Sequence, residues 1–222
     1  MNTAELLTPN QIIRSKRKSI SLVIKINGEF IVRAPMRCRD EEITKFINEK
    51  SNWIIKKRIE QLNNSYLTLT FNKPEILPFL GSNFEIKLQD IKKVKLIENQ
   101  IILPKFNAKE KLVSFLKNSA KKYITKRVEY IASLFAFSYA GISISSAKTC
   151  WGSCSHNNKL HFTYKLMMCP SDVIDYIVLH ELCHTKFKNH SSQFWELVKK
   201  CCPDYKAHEK WLKKYRGIIE LI

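Results

Sequence analysis

Residues 180–190 read His180-Glu181-Leu182-Cys183-His184-Thr185-Lys186-Phe187-Lys188-Asn189-His190. The stretch has the form HExxH, with a further histidine at 190. On a helix, side chains four apart stand ~40° apart around the axis and ~6 Å apart along it. His180 and His184 would then face the same way and share one cation, since Zn²⁺ takes imidazole nitrogen at ~2.0–2.1 Å. Glu181 falls ~100° further round, near the ion but not forced to ligate it. That is the place for a general base acting on a metal-activated water. The bland alternative is a pair of unrelated histidines on a core helix.

The flanks support a buried helix. Pro170-Ser171 opens it, with Ser171 as expected N-cap. Val173, Ile177, His180, His184 and Phe187 share one side, and Val178, Leu179, Leu182 and Cys183 fall on others. A helix that is apolar nearly all round is buried. Imidazoles buried without partners are costly, which favours a metal between them. Asn189 tolerates left-handed geometry and is expected to end the helix, so that His190 can return to the metal. Ser191 can cap a following helix bearing Phe194, Trp195 and Val198, and a last helix is expected over 204–215.

Upstream the pattern is β-rich. Ile20, Leu22, Ile24 and Ile26 alternate with Ser21, Val23 and Lys25, and Asn27-Gly28 precedes Glu29-Phe30-Ile31-Val32. This predicts a β-hairpin with a type I′ turn. Asp40 is placed to cap a helix with an Ile43, Phe46, Ile47 and Ile54 stripe, ending near Lys56-Lys57-Arg58. Short strand-like runs follow at Tyr66–Phe71, Phe84–Leu88, Val94–Ile97 and Ile101–Leu103, with Pro74 and Pro78 as breakers. Asn107 with Glu110 resembles a capping box. A long helix should then run to about Phe137, with Leu112, Leu116, Tyr123, Val128, Ile131 and Phe135 near one side and a Lys-rich opposite side. Gly141 ends that region. Ile142–Ser145 and Leu160–Leu166 read as strands on either side of a turn at 155–158.

Composition narrows the class. The 222 residues are 45% hydrophobic, enough for a sizeable core as one domain or two small lobes. The formal net charge is +18, a field that attracts nucleic acid, anionic membranes, acidic proteins or phosphorylated small molecules. Basic residues cluster at Arg14-Ser15-Lys16-Arg17-Lys18 and along 109–127, where Phe115 and Tyr123 interleave with them, as Trp53 does upstream. No secretory signal is legible at the start, and the most apolar stretch, 131–144, is too short and broken to span a bilayer. With seven cysteines, this predicts reduced thiols, a cytoplasmic location and no membrane association. Cys150 and Cys154 are a weak second-metal candidate, and Cys169, Cys201 and Cys202 read as small buried residues. His156 and His161 read as surface or hydrogen-bonded. Asp172 and Asp175 could at most act behind the metal ligands.

Trp151-Gly152-Ser153-Cys154-Ser155, Pro170 through Ile174-Asp175-Tyr176, the HExxH run, Asn189-His190-Ser191, Phe194-Trp195, Pro203-Asp204-Tyr205 and Trp211-Leu212 together resemble the YgjP-like family of zinc metallopeptidases, related to the WLM and SprT zincins. Arg14-Ser15-Lys16-Arg17 and Arg33-Ala34-Pro35 resemble that family's N-terminal half. The resemblance implies an α+β fold. A β-rich lobe with one helix would span 1–106. A zincin-like metal-binding catalytic domain, with a buried HExxH helix and a small antiparallel sheet, would span 107–222. It also implies zinc on His180, His184 and His190, with Glu181 as catalytic base. Phe187 stands where metzincins place glycine, and no methionine follows His190, so the chain is not metzincin-like. Cys150 replaces the basic residue usual before Trp151 in YgjP-like proteins.

The leading expectation is therefore a metal-dependent hydrolase, a zinc metalloendopeptidase acting on peptide or protein. Ni²⁺ and Co²⁺ stand as alternatives with the same imidazole preference. Tyr205, His208 and Tyr164 are candidates for an oxyanion donor. The strand around Leu160–Tyr164 could hold an extended peptide by strand addition. A second expectation keeps the metal and changes the bond to a phosphoanhydride of a nucleoside triphosphate, although there is no P-loop and no Asp/Glu cluster for Mg²⁺. A third is a nucleic-acid-associated basic protein with a structural zinc.

Overall fold

The structure is a computed structural model, and it describes residues 3–25, 28–64, 69, 71, 75–147 and 149–215. The chain divides into two compact units, Met1–Thr68 and Leu69–Ile222. The boundary thus falls well before the 106/107 break expected from the sequence. The physical reason lies in strands that pair among themselves and pack on the long helix that follows them.

The first unit begins with α1 (Thr3–Leu7), then β1 (Gln11–Ser15), β2 (Ser21–Ile24) and β3 (Phe30–Pro35), and closes with α2 (Asp40–Glu49) and α3 (Ser51–Asn64). β3 is central: β2 pairs with it antiparallel from Ser21↔Arg33 to Ile24↔Phe30, and β1 pairs with it parallel. Phe30, Val32, Ala34, Ile43, Ile47 and Ile54 form its core. The expected hairpin is present. Gly28, at φ 78°, donates to the Lys25 carbonyl, and Lys25 N–H donates to that of Glu29. Asn27, on which the type I′ assignment rested, lies outside the described residues.

Three local expectations in this unit change. The N-cap of α2 is Arg39, with Asp40 as the first helical residue. The single helix foreseen from Asp40 is two, broken at Lys50. Two of the basic residues are also engaged. Arg14 pairs with Asp40 and donates to the Cys38 carbonyl, and Arg58 is buried, donating to the carbonyls of Glu5, Leu6 and Thr8 at 2.9–3.1 Å.

The second unit opens with β4 (Glu75–Phe79), β5 (Ser82–Gln89), β6 (Lys95–Ile97) and β7 (Gln100–Pro104), ordered β4-β5-β7-β6 in one sheet. β5 and β7 run parallel, and the outer strands pair antiparallel. β4 was not foreseen, because Pro74 and Pro78 read as breakers. Pro78 is tolerated because β4 is an edge strand, where the missing N–H faces away from the ladder. Most of the foreseen 66–71 strand lies outside the described residues.

Helix α4 (Ala108–Leu134) follows. Leu112, Leu116, Ala120, Ile124, Val128 and Ile131 are buried along one stripe, and its lysines project from the rest. Asn107 is its N-cap in left-handed geometry (φ 57°), but the side chain does not cap, so the expected capping box is not formed. Then come β8 (Gly141–Ser145), β9 (Gly152–Cys154), β10 (Lys159–Thr163), a 3₁₀ turn (Tyr164–Met168), α5 (Ser171–Cys183), α6 (Ser192–Cys201) and α7 (Tyr205–Lys214). α5 packs on α4, β9, α6 and α7. Nine of its residues are buried, as its all-round apolar sequence requires. The small sheet is mixed: β10 is central, antiparallel to β9 and parallel to β8. The architecture is α+β. No helix among the described residues is long and apolar enough to cross a membrane.

Candidate metal centre

α5 carries His180, Glu181 and Leu182 in its last turns, with Pro170 rather than Ser171 at the N-cap. It ends at Cys183, with His184 in the C-cap position. This is earlier than the stop expected at Asn189, which is not among the left-handed residues. The segment 185–191 then folds back. Lys188 anchors it, its Nζ donating to the Ser155 carbonyl at 2.8 Å and to the Asn158 side chain in the turn between β9 and β10. Ser191 caps α6 as its sequence predicts, accepting from Phe194 N–H at 3.4 Å. Ser191→Ala is expected to cost about 1 kcal/mol in urea unfolding, with weaker metal retention because the neighbouring residue is His190.

The return brings three imidazoles together. The potential ligand atoms of His180, His184 and His190 all lie within 4.8 Å of one another, and His180 Nε2 faces His190 Nε2 at 3.2 Å. His184 Nδ1 lies 2.9 Å from the Phe187 carbonyl oxygen. A carbonyl can only accept, so Nδ1 carries the proton and Nε2 keeps its lone pair for a cation. Phe194 is fully buried beneath the three rings, stacked on His184 at 4.4 Å and edge-on to His180 and His190 at 5.0 and 4.9 Å. Trp195 stacks on the exposed His190 at 5.6 Å.

Burial, then the charges of His184 and His190, pushes His180 down to about 3. Burial also lowers His184. Both rings therefore stay neutral at physiological pH, the form that binds metal. Glu181 is 6% exposed, and its Oε2 has no hydrogen-bond partner among the described residues. Burial pushes its carboxyl up to about 8. An unsatisfied buried carboxylate oxygen is costly, and a nearby cation is what would offset that cost. The donor set of three imidazoles with one carboxylate to spare fits a borderline ion such as Zn²⁺ better than Mg²⁺ or Ca²⁺.

Sequence reasoning missed Gly152 as a determinant of this site. A Cβ there would lie 2.8 Å from Glu181 Cγ and 2.9 Å from Oε1. β9 therefore approaches the carboxyl closely only because residue 152 has no side chain. Lys188 and the Phe187 carbonyl left no signal in sequence. Other nominated residues go elsewhere. Asp175 holds Arg127 bidentately at 2.7 and 2.8 Å, and Asp172 faces His208. His208 is flanked by Asp172 and Asp204, and Tyr205 stacks on Trp195. Tyr164 is buried in the 3₁₀ turn. His161 bonds Ser143 at 2.6 Å, and His156 is exposed, in line with the modest roles expected of them. Cys150 and Cys154 join no group of converging ligand types among the described residues.

The family model for the YgjP-like metallopeptidase domain matches residues 18–215. The chain belongs to the YgjP-like family. As a member of a metallopeptidase family it is a hydrolase of peptide or protein substrates, in a class that works with a divalent metal, typically zinc. Two solved structures are similar over less than half of this chain. The metallopeptidase zymogen abylysin of Pyrococcus abyssi is 21% identical over 42% of this chain and 95% of its own, with a TM-score of 0.38. The zymogen jannalysin of Methanocaldococcus jannaschii is 24% identical over 41% of this chain and 96% of its own, with a TM-score of 0.35. No curated protein matches the chain.

Proposed function

We propose that this YgjP-like protein is a zinc-dependent endopeptidase in which His180, His184 and His190 hold the ion and Glu181 is the general base. The observation that carries this reading is the unpartnered, buried Glu181 Oε2 on the same helix turn as converging imidazoles. A closed structural zinc site has four protein ligands and needs no such carboxyl.

When bound, the ion supplies Lewis acidity to a water and to the scissile carbonyl. The chain supplies the rest. Glu181 accepts the proton of the attacking water and returns it to the leaving amine. Phe194 and the Phe187 carbonyl fix the imidazole orientations, so little reorganisation is needed during reaction.

Substrate placement differs from the sequence expectation. β10 is flanked on both sides by β8 and β9, so it has no edge to offer a peptide. β8 and β9 are the edge strands, and β9 is the one that lies against Glu181, at Gly152. A peptide adding antiparallel or parallel to β9 would run its carbonyls past the carboxylate.

The test is a panel of end-blocked peptides beside nucleoside triphosphates, assayed on one preparation as purified, chelated and reloaded with Zn²⁺. Cleavage of internal peptide bonds that disappears on chelation and returns with zinc is expected. Phosphate release from nucleotides with no peptide cleavage would overturn the proposal in favour of the phosphoanhydride reading.

A further inference from the structure

Outside the imidazole cluster, one other group of ligand types converges among the described residues. Cys202, Asp204 and His208 place their donor atoms within 4.8 Å of one another. Cys202 is the C-cap of α6, Asp204 stands at the N-cap of α7, and His208 lies one turn into α7. The Pro203 junction between the helices brings them together. The seven cysteines are all unpaired.

Two features set this group apart from ordinary surface polarity. Asp204 occupies a helix N-cap, yet its side chain makes no capping bond to the first turn of α7. It turns instead to its neighbours: Cys202 Sγ lies 3.3 Å from Oδ1, and His208 Nε2 lies 3.4 Å from Oδ2. His208 is buried, and its other nitrogen, Nδ1, faces Asp172 at 3.8 Å. A ligating histidine commonly has a carboxylate behind its other nitrogen, and Asp172 stands on that side of His208, just beyond hydrogen-bond distance. In a chain of net charge +18, Asp172 and Asp204 make this a local concentration of negative charge.

We infer that Cys202, Asp204 and His208 form a second divalent-cation site, of zinc class, with water completing the coordination. Thiolate, carboxylate and imidazole are all zinc donors, at roughly 2.0–2.3 Å. Tetrahedral ligands at those lengths stand roughly 3.3–3.8 Å apart, and Asp204 already stands 3.3 Å from Cys202 Sγ and 3.4 Å from His208 Nε2. A thiolate in the set disfavours Mg²⁺ and Ca²⁺. Binding releases the thiol proton to solvent as the sulfur–metal bond forms.

An ion there would clip the end of α6 to α7 and, through Asp172, to the first turn of α5. Two relays of ring contacts connect this corner to the imidazole cluster. Tyr176 stacks on His208 at 5.6 Å and meets His180 edge-on at 5.9 Å. Tyr205 of α7 stacks on Trp195 at 5.5 Å, and Trp195 in turn stacks on His190. The role is structural: it holds the wall that supports the first site.

Cobalt reconstitution of the full chain separates the two sites, because only the second contains sulfur. The expected result is two equivalents of Co²⁺ per chain and a near-ultraviolet thiolate-to-cobalt charge-transfer band. Cys202→Ser should abolish the band and one equivalent, and His208→Gln should remove that equivalent. His190→Ala and Cys154→Ser should leave the band in place. Cys202→Ser changes one atom at a half-buried position, so loss of folding is not expected, and circular dichroism confirms it. Absence of the band in the parent protein, or a band that survives Cys202→Ser, overturns the inference. The outcome does not depend on whether the first site cleaves peptides.

Discussion

Glu181→Gln is expected to lower peptide hydrolysis by roughly 10²–10⁴-fold while the protein keeps its first-site zinc. The amide matches the carboxylate in shape, so packing against Gly152 is retained, but it cannot accept and return a proton. The three imidazoles are untouched, so metal content by elemental analysis should stay at the parental value. Full hydrolytic rate in the substituted protein with zinc in place would remove Glu181 from the mechanism. The same substitution has an opposite effect on stability once the metal is stripped. Burial raises Glu181 from 4.5 to about 8, so the folded chelated protein binds more protons than the unfolded chain across that window. Its contribution is fully present below about pH 4.5 and is lost as pH rises through about 8. His180 works in the other direction. Its pKa falls from 6.5 to about 3, so stability is lost as pH drops below the unfolded value and towards the folded one. Thermal melts of chelated protein at pH 5 and pH 9 should therefore show Glu181→Gln gaining over the parent at the higher pH, on the order of a few kcal/mol. An equal offset at both pH values would show that the carboxyl is not held protonated by burial.

What the sequence reveals, and what it hides, follows the range of the interactions involved. The HExxH spacing places two imidazoles through helix geometry alone, and Ser191 caps α6 through its own residues, so both are legible locally. The hairpin around Gly28 is legible for the same reason. Misplaced features depend on partners distant in sequence. Pro78 looks like a breaker until β4 is known to be an edge strand. The strand at Leu160–Thr163 looks available to a peptide until β8 and β9 are seen on its two sides. Asp172 and Asp175 are one helix turn or two from the motif, yet they face His208 and Arg127 instead. Arg58 reads as a helix-end surface charge, but its guanidinium satisfies carbonyls some fifty residues earlier. The stop of α5 at Cys183 is hidden for a related reason. Lys188 pulls the chain onto the 155–158 turn, a contact that local capping signals do not encode.

Gly152→Ala is expected to reduce kcat/KM by roughly 100-fold, although residue 152 bears no chemistry of its own. The added methyl would sit 2.8 Å from Glu181 Cγ, 3.1 Å from Cδ and 2.9 Å from Oε1. Carbon–carbon contacts are favourable at about 3.5–4.0 Å, so one side must move by roughly 1 Å. Backbone movement in β9 is resisted by its pairing with β10 from Phe162↔Gly152 to Leu160↔Cys154. The Cγ contact lies near the root of the Glu181 side chain, so rotating the carboxyl alone does not relieve it. The helix backbone of α5 is held by α4, α6 and α7. Glu181 must therefore leave its position, and a displacement of about 1 Å can cost 10²-fold where a base has to meet a proton in line. Overpacking should also cost about 1–3 kcal/mol of stability. Zinc content should be unchanged, because the three atoms nearest the added methyl all belong to Glu181. Combining the substitution with Glu181→Gln gives the sharper measurement. If Gly152 acts through the carboxyl, the double variant should be hardly slower than Glu181→Gln alone, because the base is already lost. Independent, multiplying losses would mean that Gly152 matters for something else on β9, such as the seating of the peptide along its edge.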